Sequence, residues 1–179
     1  MGLETIILGG GCFWCTEAVF QQIRGIKNVE PGYAGGHVDF PTYEDICEGD
    51  TGHAEVVRLT FDTKIVSYDA LLEIFFATHD PTTLNRQGSD VGSQYRSVIY
   101  CESAQQMKTA LAAVKKAEAN WDAPILTEVA IAPAFYPAEE YHQNYFKLNK
   151  HQRYCTMVVA PKVDTARKFF TGKLAACVA

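Results

Sequence analysis

The order of apolar runs predicts an α+β fold of the ferredoxin-like, split β-α-β kind, a two-layer sandwich with helices over one face of a mixed sheet and an irregular C-terminal tail. Three observations carry this expectation. Short strand-like runs and longer helical-period runs follow one another as β-α-β-β-α-β and then α-β, the order of a split βαβ unit. The chain has 179 residues, about the length of one domain. Its 47% hydrophobic content is enough for a core, and no linker, repeat or low-complexity stretch divides it. Residues 1–179 therefore read as a single domain, with an α/β core over 1–132 and a largely irregular segment over 133–179.

Thr5 to Leu8 is a short apolar run that ends in Gly9-Gly10-Gly11. Phe13, Glu17, Phe20, Gln21 and Ile23 then recur at helical spacing until Gly25. This predicts strand, glycine turn, helix. Val29 to Tyr33 reads as a second strand and Glu55 to Phe61 as a third, with a loop rich in Gly, Pro and Asp between them. Ser67 is an N-cap candidate for a helix carrying Leu71, Leu72, Ile74, Phe75 and Phe76. His79 to Arg96 is polar and too long for a routine connection, and ordered loops of that length are usually functional. Ser97 to Tyr100 reads as a strand, Ser103 to Asn120 as an Ala-rich helix and Thr127 to Ala132 as a strand. After Pro133 only a short terminal helix near 165–170 is expected.

Composition removes several function classes. Sixteen basic and 21 acidic residues leave a net charge of −5, which disfavours nucleic acid and anionic membranes as partners. The first ten residues lack a basic stretch, and the apolar run Ile6 to Leu8 is far shorter than a membrane span, so a soluble, cytoplasmic chain is expected. Met1-Gly2 lacks the Ser or Thr at position 6 that an acylation signal requires. Aromatic residues make up 12% of the chain, which suggests a pocket or recognition surface beyond the core.

Six cysteines, Cys12, Cys15, Cys47, Cys101, Cys155 and Cys177, point to thiol chemistry rather than a disulfide framework. Cys47 and Cys101 read best as buried apolar fillers. Cys12 stands where strand and glycine turn hand over to a helix, and unpaired N–H groups there favour a thiolate, so moderate activation is expected. Zinc would need a second ligand pair, which His37, His53, His79, His142 and His151 do not form. Gly9-Gly10-Gly11 lacks the Lys-Ser/Thr ending of a phosphate loop. Two readings of Cys12-Phe13-Trp14-Cys15 stay open. One is a thioredoxin-like dithiol using Cys12 and Cys15. The other is a nucleophilic Cys12 beside an apolar socket made by Phe13 and Trp14, which suits a small methyl group.

A set of motifs resembles the A-type peptide methionine sulfoxide reductases over most of the chain. They are Gly11-Cys12-Phe13-Trp14, Gly35-Gly36, Tyr43, Gly52-His53-Ala54-Glu55, His79-Asp80-Pro81-Thr82, Asn85-Arg86-Gln87-Gly88, Gln94-Tyr95-Arg96-Ser97 and Ala138-Glu139-Glu140-Tyr141-His142-Gln143. The resemblance implies reduction of methionine S-sulfoxide, free or in proteins. It makes Cys12 the nucleophile, Glu55 the acid, and Phe13 and Trp14 the holders of the substrate methyl. Tyr43, Tyr95 and Asp90 match residues that surround the sulfoxide oxygen and the substrate backbone. It also implies a sulfenic acid resolved by an intramolecular disulfide, no cofactor or metal, and thioredoxin as reductant of a monomer. Cys155 matches the recycling cysteine, on a tail expected to be mobile, while Cys15 departs from the usual glycine and is the alternative. His53, His79, Asp80 and His142 are expected to order loops. Two rivals are a general thiol-disulfide oxidoreductase and a non-enzymatic module that binds methionine or oxidised peptides.

Overall fold

A computed structural model describes residues 2–171, so Cys177 lies outside the described residues. The strands are β1 (Leu3–Gly10), β2 (Ile26–Ala34), β3 (Ala54–Asp62), the short β4 (Arg86–Gln87) and β5 (Asp90–Val91), β6 (Ser97–Cys101), β7 (Glu128–Ile131) and β8 (Phe135–Pro137). The helices are α1 (Phe13–Phe20), α2 (Tyr43–Glu48), α3 (Tyr68–Thr78), α4 (Ala104–Ala117), α5 (Tyr145–Leu148) and α6 (Ala160–Phe169). The main sheet runs β7-β6-β1-β3-β2-β8. Every neighbouring pair is antiparallel except β6 and β7, which α4 joins in parallel. The inner order β6-β1-β3-β2 is the split β-α-β arrangement expected from the sequence, curled and extended by one strand at each edge.

The two sheet faces differ because successive strand residues point to opposite sides. Ile6 and Leu8 of β1 join Phe20, Leu59, Leu71, Phe75 and Ile99 in the main core, with buried residues of α1, α3, α4 and α6. Ile7 points the other way, into a smaller cluster with Ala34, Ala54, Val56, Val98 and Tyr100 under Phe135. Ser67 and Ser103 cap α3 and α4 by accepting from the amides of Ala70 and Gln106. Among the described residues no helix is long and apolar enough to cross a membrane.

Three departures from the sequence reading have local causes. The loop between β2 and β3 contains α2, six residues started by a capping box of Thr42 and Asp45, and it buries only Ile46. One buried residue leaves no periodicity to read. His79 to Arg96 holds the β4–β5 hairpin and a 3₁₀ turn over Ser93–Tyr95. The C-terminal segment is more regular than expected: β8 pairs with β2, and a π-helical turn over Cys155–Val159 runs into α6. Its apolar stripe, Cys155, Val159, Val163 and Ala166, is buried against the core. Pro161 hides the first half of this helix, of which only 165–170 was expected, because proline reads as a break although the first turn of a helix accepts it.

The glycine turn after β1 is sterically required. A Cβ on Gly9 would meet the Glu55 carbonyl oxygen at 2.9 Å, so β1 and β3 could not approach as they do. Gly11 has φ +99°, and its Cβ would lie 2.6 Å from Gln87 Cγ. Gln87 cannot easily yield, since its amide is bonded to Asp80 through both ends. Gly11→Ala should therefore destabilise the fold by about 1–3 kcal/mol, read as a lower urea midpoint. An unchanged midpoint would contradict this turn geometry.

Candidate active site

Strand register gathers the site at one end of the sheet. β1 ends with Gly10 opposite Ser97 of β6, and Tyr95 lies two residues before that serine. On the other side Glu55, near the start of β3, is paired with Tyr33 of β2. The chain leaves β1 through Gly11 and places Cys12 at the N-cap of α1, with no side-chain cap bond. A cavity of about 120 Å³ forms there, lined by Cys12, Phe13, Trp14, Tyr43, Glu55, Asp90, Tyr95 and Tyr154. Its size suits the end of one side chain rather than a whole metabolite.

The first amides of α1 are divided between two acidic groups. Phe13 N–H donates to Glu55 Oε2 at 3.1 Å, and the Trp14 amide acts on Cys12 to lower its thiol. Glu55 is 2% exposed, and burial pushes its carboxyl up to about 8. The Phe13 amide opposes that rise, while Asp90 and Cys15 add to it. At neutral pH Glu55 thus carries a proton. Burial likewise pushes the Cys12 thiol well above its ordinary range, with Cys15 and Glu55 adding to the rise. This corrects the expected activation by the helix end: desolvation outweighs one amide bond in a side chain only 8% exposed. Burial also keeps the phenols of Tyr43 and Tyr95 protonated, so both present hydroxyl donors.

The aromatic wall is held from the C-terminal segment. Trp14 Nε1–H donates to His142 Nδ1 at 3.0 Å, Tyr145 stacks on the Trp14 ring at 3.7 Å between centroids, and Tyr154 meets it edge-on at 5.8 Å. Phe13 is buried between Tyr33 and His142. His142 accepts from Trp14, so its imidazole is neutral, and burial lowers its basicity.

Residues 4–174 match the family model described as peptide methionine sulfoxide reductase. The chain belongs to that family. Peptide methionine sulfoxide reductase MsrA of Ralstonia nicotianae is 53% identical over 97% of this chain and 94% of its own. The reduced form of Mxr1 from Saccharomyces cerevisiae superposes with a TM-score of 0.82 at 34% identity, over 86% of this chain and 90% of that one. Mxr1 in complex with Trx2 aligns with a TM-score of 0.58 at 25% identity, over 80% of this chain and 85% of the other.

The cavity of this family member brings together Cys12, Phe13, Trp14, Tyr43, Glu55, Asp90 and Tyr95, all singled out in the sequence. Cys15 is 2% exposed and does not line the cavity, and its nearest polar side-chain contact is the Tyr154 hydroxyl at 3.9 Å. Cys155 is fully buried at the start of the π-helical turn, which corrects its expected place on a mobile tail. Cys101 is buried as expected, whereas Cys47 is exposed on α2 because Ile46 takes the inward position. His79 bridges the Phe75 carbonyl and the Ser97 hydroxyl, His53 ties Gly36 N–H to the Val38 carbonyl, and Asp80 accepts from Thr82.

Sequence reasoning missed Tyr154, whose hydroxyl donates to Asp90 at 2.7 Å. Its only local signal was its place before Cys155. It also missed Glu17, 1% exposed on α1, which accepts from Asn144 N–H at 2.7 Å and so ties α5 to α1. Burial pushes the Glu17 carboxyl up to about 7, against the amides of Asn144 and Tyr145. Glu17 and Glu55 both sit above an unfolded value of 4.5, so the folded chain binds more protons than the unfolded one. The stability they contribute is full below about pH 4.5 and is lost as pH rises through about 7 and about 8. The melting temperature should accordingly fall between pH 5 and pH 9, and Glu55→Gln should flatten the upper part of that slope. An identical slope in the variant would mean that Glu55 is ionised in the fold.

Proposed function

We propose that this chain reduces methionine S-sulfoxide, free or in proteins, to methionine, with Cys12 as nucleophile and Glu55 as acid. One observation carries the reading: a single small cavity places a cysteine, a protonated buried carboxyl, two phenol hydroxyls and an apolar aromatic wall around one point. Sulfoxide sulfur is a poor electrophile until its oxygen receives a proton. Glu55 supplies that proton, and Tyr43 and Tyr95 share the oxygen as hydroxyl donors. Phe13 and Trp14 take the substrate methyl, and Asp90, oriented by Tyr154, faces the rest of the substrate. As the proton leaves, the Phe13 amide stabilises the new Glu55 carboxylate, and the Trp14 amide supports the Cys12 sulfur as it attacks. The oxygen, carrying the Glu55 proton, passes from the methionine sulfur, which is reduced by two electrons, to Cys12, which is oxidised to a sulfenic acid, and the proton of the Cys12 thiol returns Glu55 to its acid form.

An intramolecular disulfide then forms, and a thioredoxin returns the thiols. The likeness to Mxr1, whose complex with Trx2 has this fold, supports that choice of reductant. Residues from Cys12 to Tyr154 line the cavity together, which supports a single catalytic domain. A cycle that runs through thiols suits a reducing compartment such as the cytoplasm. The residues need no metal or bound cofactor for these steps.

Cys12→Ser should fold and release no methionine from a blocked methionine S-sulfoxide, and substantial turnover would refute the nucleophile. Glu55→Gln should slow single-turnover methionine release by ~10²- to 10⁴-fold. The wild-type rate should decline above about pH 8 as Glu55 loses its proton, and that limb should vanish in the glutamine variant. A retained limb would assign it to another group. Trp14→Ala should raise KM for the S epimer, and unaltered kinetics would place Trp14 outside the socket.

A further inference from the structure

We infer that Arg96 is a positioning residue of this site: its guanidinium holds the turn that carries Tyr95 at a fixed distance from the loop that leads into Glu55, so that phenol and acid meet on one sulfoxide oxygen. The inference rests on the reductase reading above and adds to it a side chain that does not line the cavity.

Tyr95 needs an anchor from outside its own turn. It ends the 3₁₀ turn Ser93–Tyr95, which follows Gly92 and has no side-chain cap bond. Within that turn the Tyr95 amide donates to the Gly92 carbonyl at 3.0 Å, and the Arg96 amide reaches the Ser93 carbonyl at 3.3 Å, long for such a bond. Glu55 is fixed independently, by the pairing of β3 with Tyr33 of β2 and by the Phe13 amide. The short turn is therefore the part that can move.

The Arg96 side chain, 17% exposed, supplies the anchor. Nη1 donates to the Ser93 carbonyl at 2.9 Å, which closes the Tyr95 turn. Nη2 donates at 2.9 Å to the carbonyl of Gly52, three residues before Glu55 and 44 positions away from Arg96. Nε donates to Glu128 Oε2 at 3.2 Å, and the other oxygen of that carboxylate accepts from the Tyr100 hydroxyl at 3.3 Å. One planar group thus joins the turn, the loop and β7. The fixed fork of a guanidinium suits that task, and the single nitrogen of a lysine cannot repeat it. The loop it grips is itself held, because the Thr51 carbonyl accepts from His37 N–H at 2.9 Å. Gly35 leaves room for the fork: a Cβ there would lie 3.0 Å from Arg96 Nη2 and nearer still to the Tyr100 hydroxyl.

Released from Gly52, the turn would carry the Tyr95 hydroxyl away from the oxygen that Glu55 protonates. A displacement of about 1 Å can cost about 100-fold in rate. The socket of Phe13 and Trp14, on α1, would still take the methyl. The loss therefore falls on the chemical step and not on binding.

The test uses the full chain, reduced, in single-turnover release of methionine from a blocked methionine S-sulfoxide over a range of concentrations. Arg96→Lys, which keeps the charge beside Glu128, should lower the limiting rate about 10- to 100-fold and leave the half-saturating concentration within about twofold. Arg96→Ala should lose at least as much. In a Tyr95→Phe background Arg96→Lys should cost less than about threefold, because the hydroxyl it places is gone, whereas a purely structural role predicts the same loss in both backgrounds. Equal losses in the two backgrounds, a change confined to half-saturation, a wild-type limiting rate in Arg96→Lys, or its failure to fold by near-UV circular dichroism overturns the positioning role while leaving the reductase reading intact. Absence of methionine from wild type, or an unslowed Tyr95→Phe, overturns that reading and this one with it.

Discussion

The hydrogen bond from Phe13 N–H to Glu55 Oε2 is the constraint on which the site depends. It joins the start of α1 to the start of β3, two elements separated by 42 residues. A carboxyl so deeply buried is stable chiefly in its neutral form, and the amide limits the cost of its ionised form. The group is thereby poised to lose a proton near neutral pH and to hold the charge that remains. The geometry behind this is the glycine turn: Gly9 admits the β3 backbone, and Gly11 reverses the chain so that α1 starts beside it.

A second tier of contacts makes the C-terminal segment part of the site. Glu17 accepts from Asn144, which seats Tyr145 on Trp14, while His142 fixes the indole edge and Tyr154 closes its flank. Tyr33, fully buried, donates to Glu139 and so holds the segment from the sheet side. Trp14 is the one residue of α1 that is not buried, and these contacts keep its ring oriented where it meets the cavity. Nearly every clamp is a polar group satisfied by one partner. The exceptions, Glu17 Oε2 and His142 Nε2, are buried without a hydrogen bond, and both lie behind the aromatic wall. Burial raises the Glu17 carboxyl to about 7 and lowers the basicity of His142, and the neutral forms it favours reduce the cost of that arrangement.

The thiols show how position divides the labour of one residue type. Cys12 is at the cavity, Cys15 buried outside its lining, Cys155 in the packed stripe and Cys47 on the exposed side of a six-residue helix. Cysteine chemistry follows the thiolate fraction, and here that fraction is set by burial and neighbouring sulfur rather than by cationic side chains.

The sequence by itself determined the order of the core strands and helices, and through motifs spread from Gly11 to Gln143 it carried the resemblance that singled out seven of the eight residues lining the cavity, Tyr154 being the one it missed. Local signals suffice for the element order, because alternation, capping serines and glycine turns are properties of a few adjacent residues, whereas the roles of Glu55, Tyr43, Tyr95 and Asp90 came from the resemblance. Tertiary structure alone decided the protonation of Glu55, the thiol state of Cys12, the seats of Tyr154 and Glu17, and the burial of Cys155. Each depends on groups distant in the chain: desolvation of Glu55 needs the α1 start packed on β3, Tyr154 meets Asp90 across 64 positions, and Glu17 meets Asn144 across 127. Electrostatic balance in a closed interior is a sum over such neighbours, and no window of adjacent residues contains it.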